Sequence, residues 1–182
     1  LAQRPRTQLR ASEAGSFWSW RGLMYALAEQ LNPEDIFNIS RFAFVELAMS
    51  GVTAVGEFHY LHHGPGGAPY ANRTELAEAV IRAAQAAGLR ITLIRTAYLR
   101  AGHNQALTPA QQRFADPSPE PVLADVESLK QRFAATPGVE IALAAHSIRA
   151  VPRAQLGELA THARRQGLMF HMHVAEQRRE IE

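Results

Sequence analysis

Apolar residues along this chain fall into two rhythms that alternate from one end to the other. Four short, nearly unbroken runs, residues 52–58, 90–97, 139–145 and 168–173, read as strands covered on both faces. Between them the apolar positions recur at helical spacing. Leu76, Val80, Ala83 and Ala87 form one stripe, Val122, Val126, Leu129 and Phe133 a second, and Leu156, Leu159, Ala160 and Ala163 a third. Alternation of this kind predicts a parallel sheet, because a chain that returns to run in the same direction needs a crossover helix.

Turn and cap residues sharpen the limits. Asn32-Pro33-Glu34-Asp35 offers a cap, a proline in the first turn and two acids at the positive end of a helix that stops before Gly51. Ser118-Pro119 opens a helix closed by Pro137-Gly138, Pro152 opens one stopped by Gly167, residues 72–87 end at Gly88, and an earlier helix spans 18–31. Helix-to-strand joints are tight, whereas the strand-to-helix stretches are long and polar, above all residues 62–67 and 101–117. Ligands of parallel α/β folds bind beyond the strand C-termini, so function is expected on that side.

Composition narrows the partners. With 182 residues and 47% hydrophobic content the chain can bury a core, as one domain or a large part of one. A net charge of +2, carried by scattered arginines and the single Lys130, argues against a nucleic-acid partner. Cysteine is absent, which excludes disulfides and thiolate ligands and leaves His, Asp and Glu to bind any metal. No apolar run reaches the ~20 residues of a membrane helix, and the arginine-rich residues 1–12 lack the apolar stretch of a secretory signal. A cytoplasmic protein without a membrane partner is expected. The chain begins without Met and stops at Glu182 in what reads as a first helical turn, so both ends are expected to be cuts.

The strand ends carry the chemistry. Just beyond the four runs stand His59 and Tyr60, then Tyr98 and Arg100, then His146 and Arg149, then His173 and Glu176. A histidine can give a neutral imidazole to a metal, and a nearby glutamate outside the ligand set can move protons. Convergent cations suit a substrate that carries carboxylates. A lone histidine at a strand end is more often a hydrogen-bonded structural residue, so the weight rests on convergence. His62 and His63 read as structural or solvated, His103 and His162 as surface residues, and Glu57 as an arginine's partner or as solvated. Trp18 and Trp20 read as packing anchors that aim Arg21.

Four blocks together resemble the formimidoylglutamate deiminase family, part of the amidohydrolase superfamily of metal-dependent (β/α)₈ barrels. They are Ser16-Phe17-Trp18-Ser19-Trp20-Arg21, Glu57-Phe58-His59-Tyr60 with its following His-His and Pro-x-Gly loop, His146-Ser147-Ile148-Arg149-Ala150-Val151, and His171-Met172-His173-Val174-Ala175-Glu176-Gln177. The resemblance covers nearly the whole chain and keeps the family order. It implies an incomplete parallel (β/α) barrel of TIM type with about four of its eight units. Residues 1–182 would form part of that domain, without the first strand and strands six to eight.

The resemblance also implies roles. His173 corresponds to the metal-binding histidine that ends the fifth strand, Glu176 to the proton-shuttling glutamate, and Arg21, Tyr60, His146 and Arg149 to substrate-binding residues that recognise the glutamate portion. His171 has no counterpart; it reads as packed in the barrel wall, with a second metal ligand as its alternative. Family members bind zinc with a His-x-His pair, the fifth-strand histidine and a later aspartate, and only one of these positions is present here. The implied activity is hydrolysis of N-formimino-L-glutamate to N-formyl-L-glutamate and ammonia in histidine degradation, by an intact homodimer acting on a small dicarboxylate. The chain as given is expected to hold no stoichiometric zinc, to be inactive, and to self-associate through open sheet edges. Two alternatives stand beside this: a deaminase acting on a heterocyclic base, and a non-catalytic barrel fragment that binds a small anion.

Overall fold

The computed structural model describes residues 17–176, with side chains from residue 22 onward. Helices α1 (Phe17–Ala28) and α2 (Pro33–Met49) precede the sheet. Then β1 (Ala54–His59), α3 (Glu75–Ala86), β2 (Arg90–Ala97), α4 (Pro119–Phe133), β3 (Val139–Ser147), α5 (Arg153–Arg165) and β4 (Phe170–His173) alternate. The four strands lie in the order β1-β2-β3-β4 and pair in parallel, as the hydrophobic rhythm predicts. Together they form a curled half-barrel, α/β in class, with the outer edges of β1 and β4 unpaired among the described residues.

Local chemistry explains the limits. Asn32 and Asp35 form a reciprocal capping box, Asn32 Oδ1 accepting from the Asp35 amide at 3.0 Å and Asp35 Oδ2 from the Asn32 amide at 3.1 Å. Helix α3 begins later than its apolar stripe suggests. Asn72 Oδ1 accepts from the amide and hydroxyl of Thr74 and winds residues 72–74 into a turn. Helix α1 stops at Ala28, three residues short of the expected limit. Both long strand-to-helix stretches contain short helical turns, Pro65–Gly67 and Pro109–Phe114.

Alternation along the strands divides the sheet into two faces. Ile91, Leu93, Ala97, Ile141, Leu143 and Ala145 pack with the helices in the main core. Facing away from the helices, Ile94, Ala142 and Ala144 form a second, smaller cluster against Phe58. This concave face leads up to the strand C-termini, so residues in step with Phe58 and Ala144 rise toward one place.

Candidate active site

Register brings five of the expected side chains together. Phe58 stacks on His173 with ring centroids 4.2 Å apart. His146 stands edge-on to His173 at 5.2 Å and to Tyr60 at 5.1 Å. Tyr98, 4.9 Å from His146, closes the group on the side of β2. Beyond β4 the chain turns back through Ala175, whose φ of 54° is in the left-handed region. That reversal lets Glu176 Oε2 meet Arg149 Nη2 at 2.6 Å. Tyr60, His146, Arg149, His173 and Glu176 thus converge on one end of the sheet. Arg21 lies in α1, and its side chain lies outside the described residues.

A register shift contributes to this arrangement. Ala144 pairs with His171 but Ser147 with His173, so β3 carries one more residue than β4 over that stretch. The bulge lies at Ala145 and His146, and His146 keeps the concave face of Ala144, against Phe58. Ser147 Oγ then accepts from the Ala150 amide at 3.2 Å, which starts the turn that presents Arg149. Arg100, expected to join the convergent cations, instead donates to the carbonyls of Arg149 at 2.9 Å and Ile148 at 2.8 Å. It braces the turn rather than facing the site.

His59 is also diverted. It is buried on the helix side, where burial and then the neighbouring positive Arg95 push its pKa down to about 3. Its Nε2 is enclosed and has no hydrogen-bond partner among the described residues. His62 and His63 prove structural and buried, not solvated. Arg95 Nη1, which can only donate, sits 2.5 Å from His62 Nε2, and the ring is held neutral by burial and then by that charge. His63 Nε2 donates to the Ala115 carbonyl at 2.8 Å. His103 is exposed as expected, but His162 is half-buried with its Nε2 enclosed. Glu57 makes no ion pair among the described residues, and burial raises its pKa.

Sequence reasoning passed over a buried ionic network directly behind the site. Arg95 binds Asp116 at 2.6 Å and Asp125 at 2.8 Å, and Asp125 also takes Arg73 at 3.0 Å. Burial opposes the charge on Arg95, but the two carboxylates outweigh it and its pKa is raised. The signal was available in part: an arginine inside an otherwise apolar strand demands a buried partner.

Among the described residues no group of three His, Asp or Glu side chains could hold a metal ion. Catalytic zinc takes about three protein ligands. His173 offers one imidazole at an exposed strand end, and the described residues do not complete a site around it.

Comparison with known proteins bears on this arrangement. The model of the amidohydrolase family matches residues 6–182. Formimidoylglutamate deiminase of Pseudomonas aeruginosa is 39% identical over 168 residues, which is 92% of this chain and 36% of that protein. The chain therefore spans about a third of the length of the curated relative it matches. The crystal structure of an amidohydrolase from Brucella melitensis is similar with a TM-score of 0.85 and 36% identity, over 92% of this chain and 37% of the other. Atrazine chlorohydrolase TrzN from Arthrobacter aurescens, complexed with zinc, has a TM-score of 0.73 at 20% identity, over 92% of this chain and 37% of its own. That likeness concerns the fold alone.

Proposed function

We propose, for a chain that belongs to the amidohydrolase family, that it supplies strands two to five of a formimidoylglutamate deiminase barrel. The intact enzyme would hydrolyse N-formimino-L-glutamate to N-formyl-L-glutamate and ammonia, in the degradation of histidine in the cytoplasm. The carrying observation is the convergence of Tyr60, His146, His173, Arg149 and Glu176 at one sheet end, in a chain 39% identical to an enzyme of that name. The edges of β1 and β4, unpaired among the described residues, and the exposed apolar Phe42, Val45 and Met49 on α2 fit a sheet that continues in both directions.

Each residue then has a task. Arg149, with Tyr60 and His146, binds the substrate carboxylates, and Arg21 adds a second guanidinium. In the structure Arg149 holds Glu176. An arriving carboxylate competes for the same guanidinium and releases Glu176 to face the amidine carbon. The Glu176 carboxylate takes a proton from the attacking water and passes it to the imino nitrogen, then carries the hydroxyl proton of the tetrahedral carbon to the same nitrogen, so that the carbonyl forms, the C–N bond breaks and ammonia leaves. Zinc would take His173 as one ligand, with the rest supplied from outside the described residues, and would acidify that water. A small dicarboxylate is the partner in this reading, with neither nucleic acid nor membrane involved, and the intact enzyme is a homodimer.

Ammonia release by the intact protein from N-formimino-L-glutamate, set against guanine and cytosine, tests the reading. Turnover of the acyclic amidine is expected, falling at least about a hundredfold in Glu176→Gln. Turnover of a ring amine with none of the acyclic substrate would transfer the protein to the ring deaminases.

A further inference from the structure

The stretch between β2 and α4 holds α1 against the strand ends. We infer that its helical turn Pro109–Phe114 sets the depth and rotation of α1, and with them the place of Arg21, through Gln111 and Arg113 as positioning residues. The inference rests on the reading of Arg21 as a substrate-binding residue.

Gln111 is 1% exposed, so its amide must find all of its partners inside the protein. Its Oε1 accepts from the Thr108 amide at 2.9 Å and the Thr108 hydroxyl at 2.8 Å. With the oxygen committed to two donors, Nε2 faces two phenols, donating to Tyr98 at 2.7 Å and Tyr25 at 3.4 Å. Tyr98 lies against His146, whereas Tyr25 belongs to α1, one helical turn beyond Arg21. One side chain thus spans from the substrate-binding cluster to the helix that carries the remaining cation.

Arg113 grips the other end of that helix. Fully buried, it donates to the carbonyl of Ala28, the last residue of α1, and to that of Leu31 at 2.8 Å. A cation there complements the helix dipole and adds to the long bond, 3.4 Å, that the Ala28 carbonyl accepts from the Leu31 amide. Its Nε donates to the His63 carbonyl at 2.8 Å, and its own carbonyl accepts from the amides of His62 and His63, so the clamp is joined to the loop after β1. Phe114 fills the space between, 5.3 Å from the rings of both Tyr25 and Tyr60. The Tyr60 hydroxyl adds a contact to Met24 Sδ at 3.4 Å.

Apolar packing by Phe114 alone would fix how deeply α1 sits. It would not fix rotation, since dispersion contacts are weakly directional. Bonds at residues 25, 28 and 31, from a single short turn, remove that freedom. Rotation matters because one residue's slip turns a helix by about 100°, which would carry position 21 to another side of α1.

The test uses the intact enzyme and a double-mutant cycle. Gln111→Ala is expected to raise KM for N-formimino-L-glutamate about tenfold with kcat within about threefold, the pattern of a loosened substrate anchor. Arg21→Met raises KM on its own, and adding Gln111→Ala to it produces little further change, because both act through one contact. Fully additive effects, or an unchanged KM in Gln111→Ala beside a raised one in Arg21→Met, overturn the inference. Tyr25→Phe, which keeps the ring and deletes one acceptor, serves the same cycle if Gln111→Ala does not fold. Amide exchange at residues 22–28 supplies an independent readout: faster exchange in either variant supports the clamp, and unchanged protection refutes it. Should Arg21→Met leave KM unaltered, the substrate role of Arg21 fails, while exchange still decides whether the helix is held.

Discussion

On β2 the side chain of Arg95 turns toward the helices, and Tyr98, just beyond the strand, joins the cluster at the end of the concave face. The first meets Asp116, Asp125 and His62 in a sealed network; the second meets His146 and Phe114 by ring edges and lies parallel to the Tyr60 ring. β1 divides in the same way, sending His59 to the network and Phe58 and Tyr60 to the cluster. One end of one sheet therefore bears two polar regions with opposite construction. Behind the strands, charges are buried and matched by carboxylates; in front, rings touch and the ions are partly exposed. The difference teaches that a charged residue at a strand end is assigned by its parity in the strand before its chemistry matters.

Replacing the central cation of each region should separate them most strongly. Arg95→Met leaves two buried carboxylates facing each other without their shared cation, and a loss of about 3–5 kcal/mol in urea-unfolding stability is expected. Arg149→Met breaks the pair with Glu176, whose side chains are 17% and 31% exposed, and a loss within about 1 kcal/mol is expected. Equal losses would erase the distinction between scaffold and site.

Acid should attack the rear region next. His59 is held at about pKa 3, against an ordinary value of 6.5, and His62 is lowered as well. Between those limits the unfolded chain binds protons that the folded chain refuses, so stability is complete above about pH 6.5 and falls as the pH drops toward 3. Each histidine contributes a slope of up to about 1.4 kcal/mol per pH unit. Denaturation between about pH 5 and 6.5, above the carboxylate range, isolates this contribution. His59→Gln should flatten the curve; an unaltered slope would show that His59 does not exclude protons in the folded state.

Much of this architecture could be read from residue order alone, and the reasons are local. Parallel strands announce themselves because both faces are covered, which leaves short apolar runs between helical stripes. Tyr60, His146 and Glu176 stood out because each follows such a run, and His173 because it ends one. What the order of residues could not give was parity at the strand ends. His59 and Tyr60 are neighbours in sequence and go to opposite faces, and the bulge in β3 depends on pairing with β4 rather than on anything in 139–147. Arg100 looked like a substrate cation because its acceptors, the carbonyls of Ile148 and Arg149, lie 48 and 49 residues away. The clamp at Gln111 and Arg113 was hidden for the same reason, its bonds reaching back 85 and 86 residues to α1.

A smaller effect is expected at the ring contact in front of the sheet. Phe58 stacks on His173 at 4.2 Å, and a pair of this kind is worth about 0.5–1.5 kcal/mol beyond area burial. Phe58→Leu keeps an apolar side chain beneath the imidazole and removes the stack. About 1 kcal/mol of stability should be lost, and NMR of the His173 ring should show it sampling more than one orientation. A ring as well ordered as before would mean that β4 alone fixes this imidazole.

The least costly change falls on the turn that returns Glu176 to the site. Ala175 adopts φ 54°, a conformation in which a Cβ crowds the backbone and glycine is at ease. Ala175→Gly relieves that strain but also frees the unfolded chain, and the two effects oppose each other to leave stability within about 0.5 kcal/mol. Their balance in function is different. In the intact enzyme, relief of strain cannot aid a proton carrier, whereas greater freedom spreads Glu176 over more positions and lowers kcat by a few fold, on the order of 1 kcal/mol or less. A variant of unchanged stability and lowered kcat would show that the turn orients the carboxylate; unchanged kcat would show that its orientation during turnover does not depend on this turn.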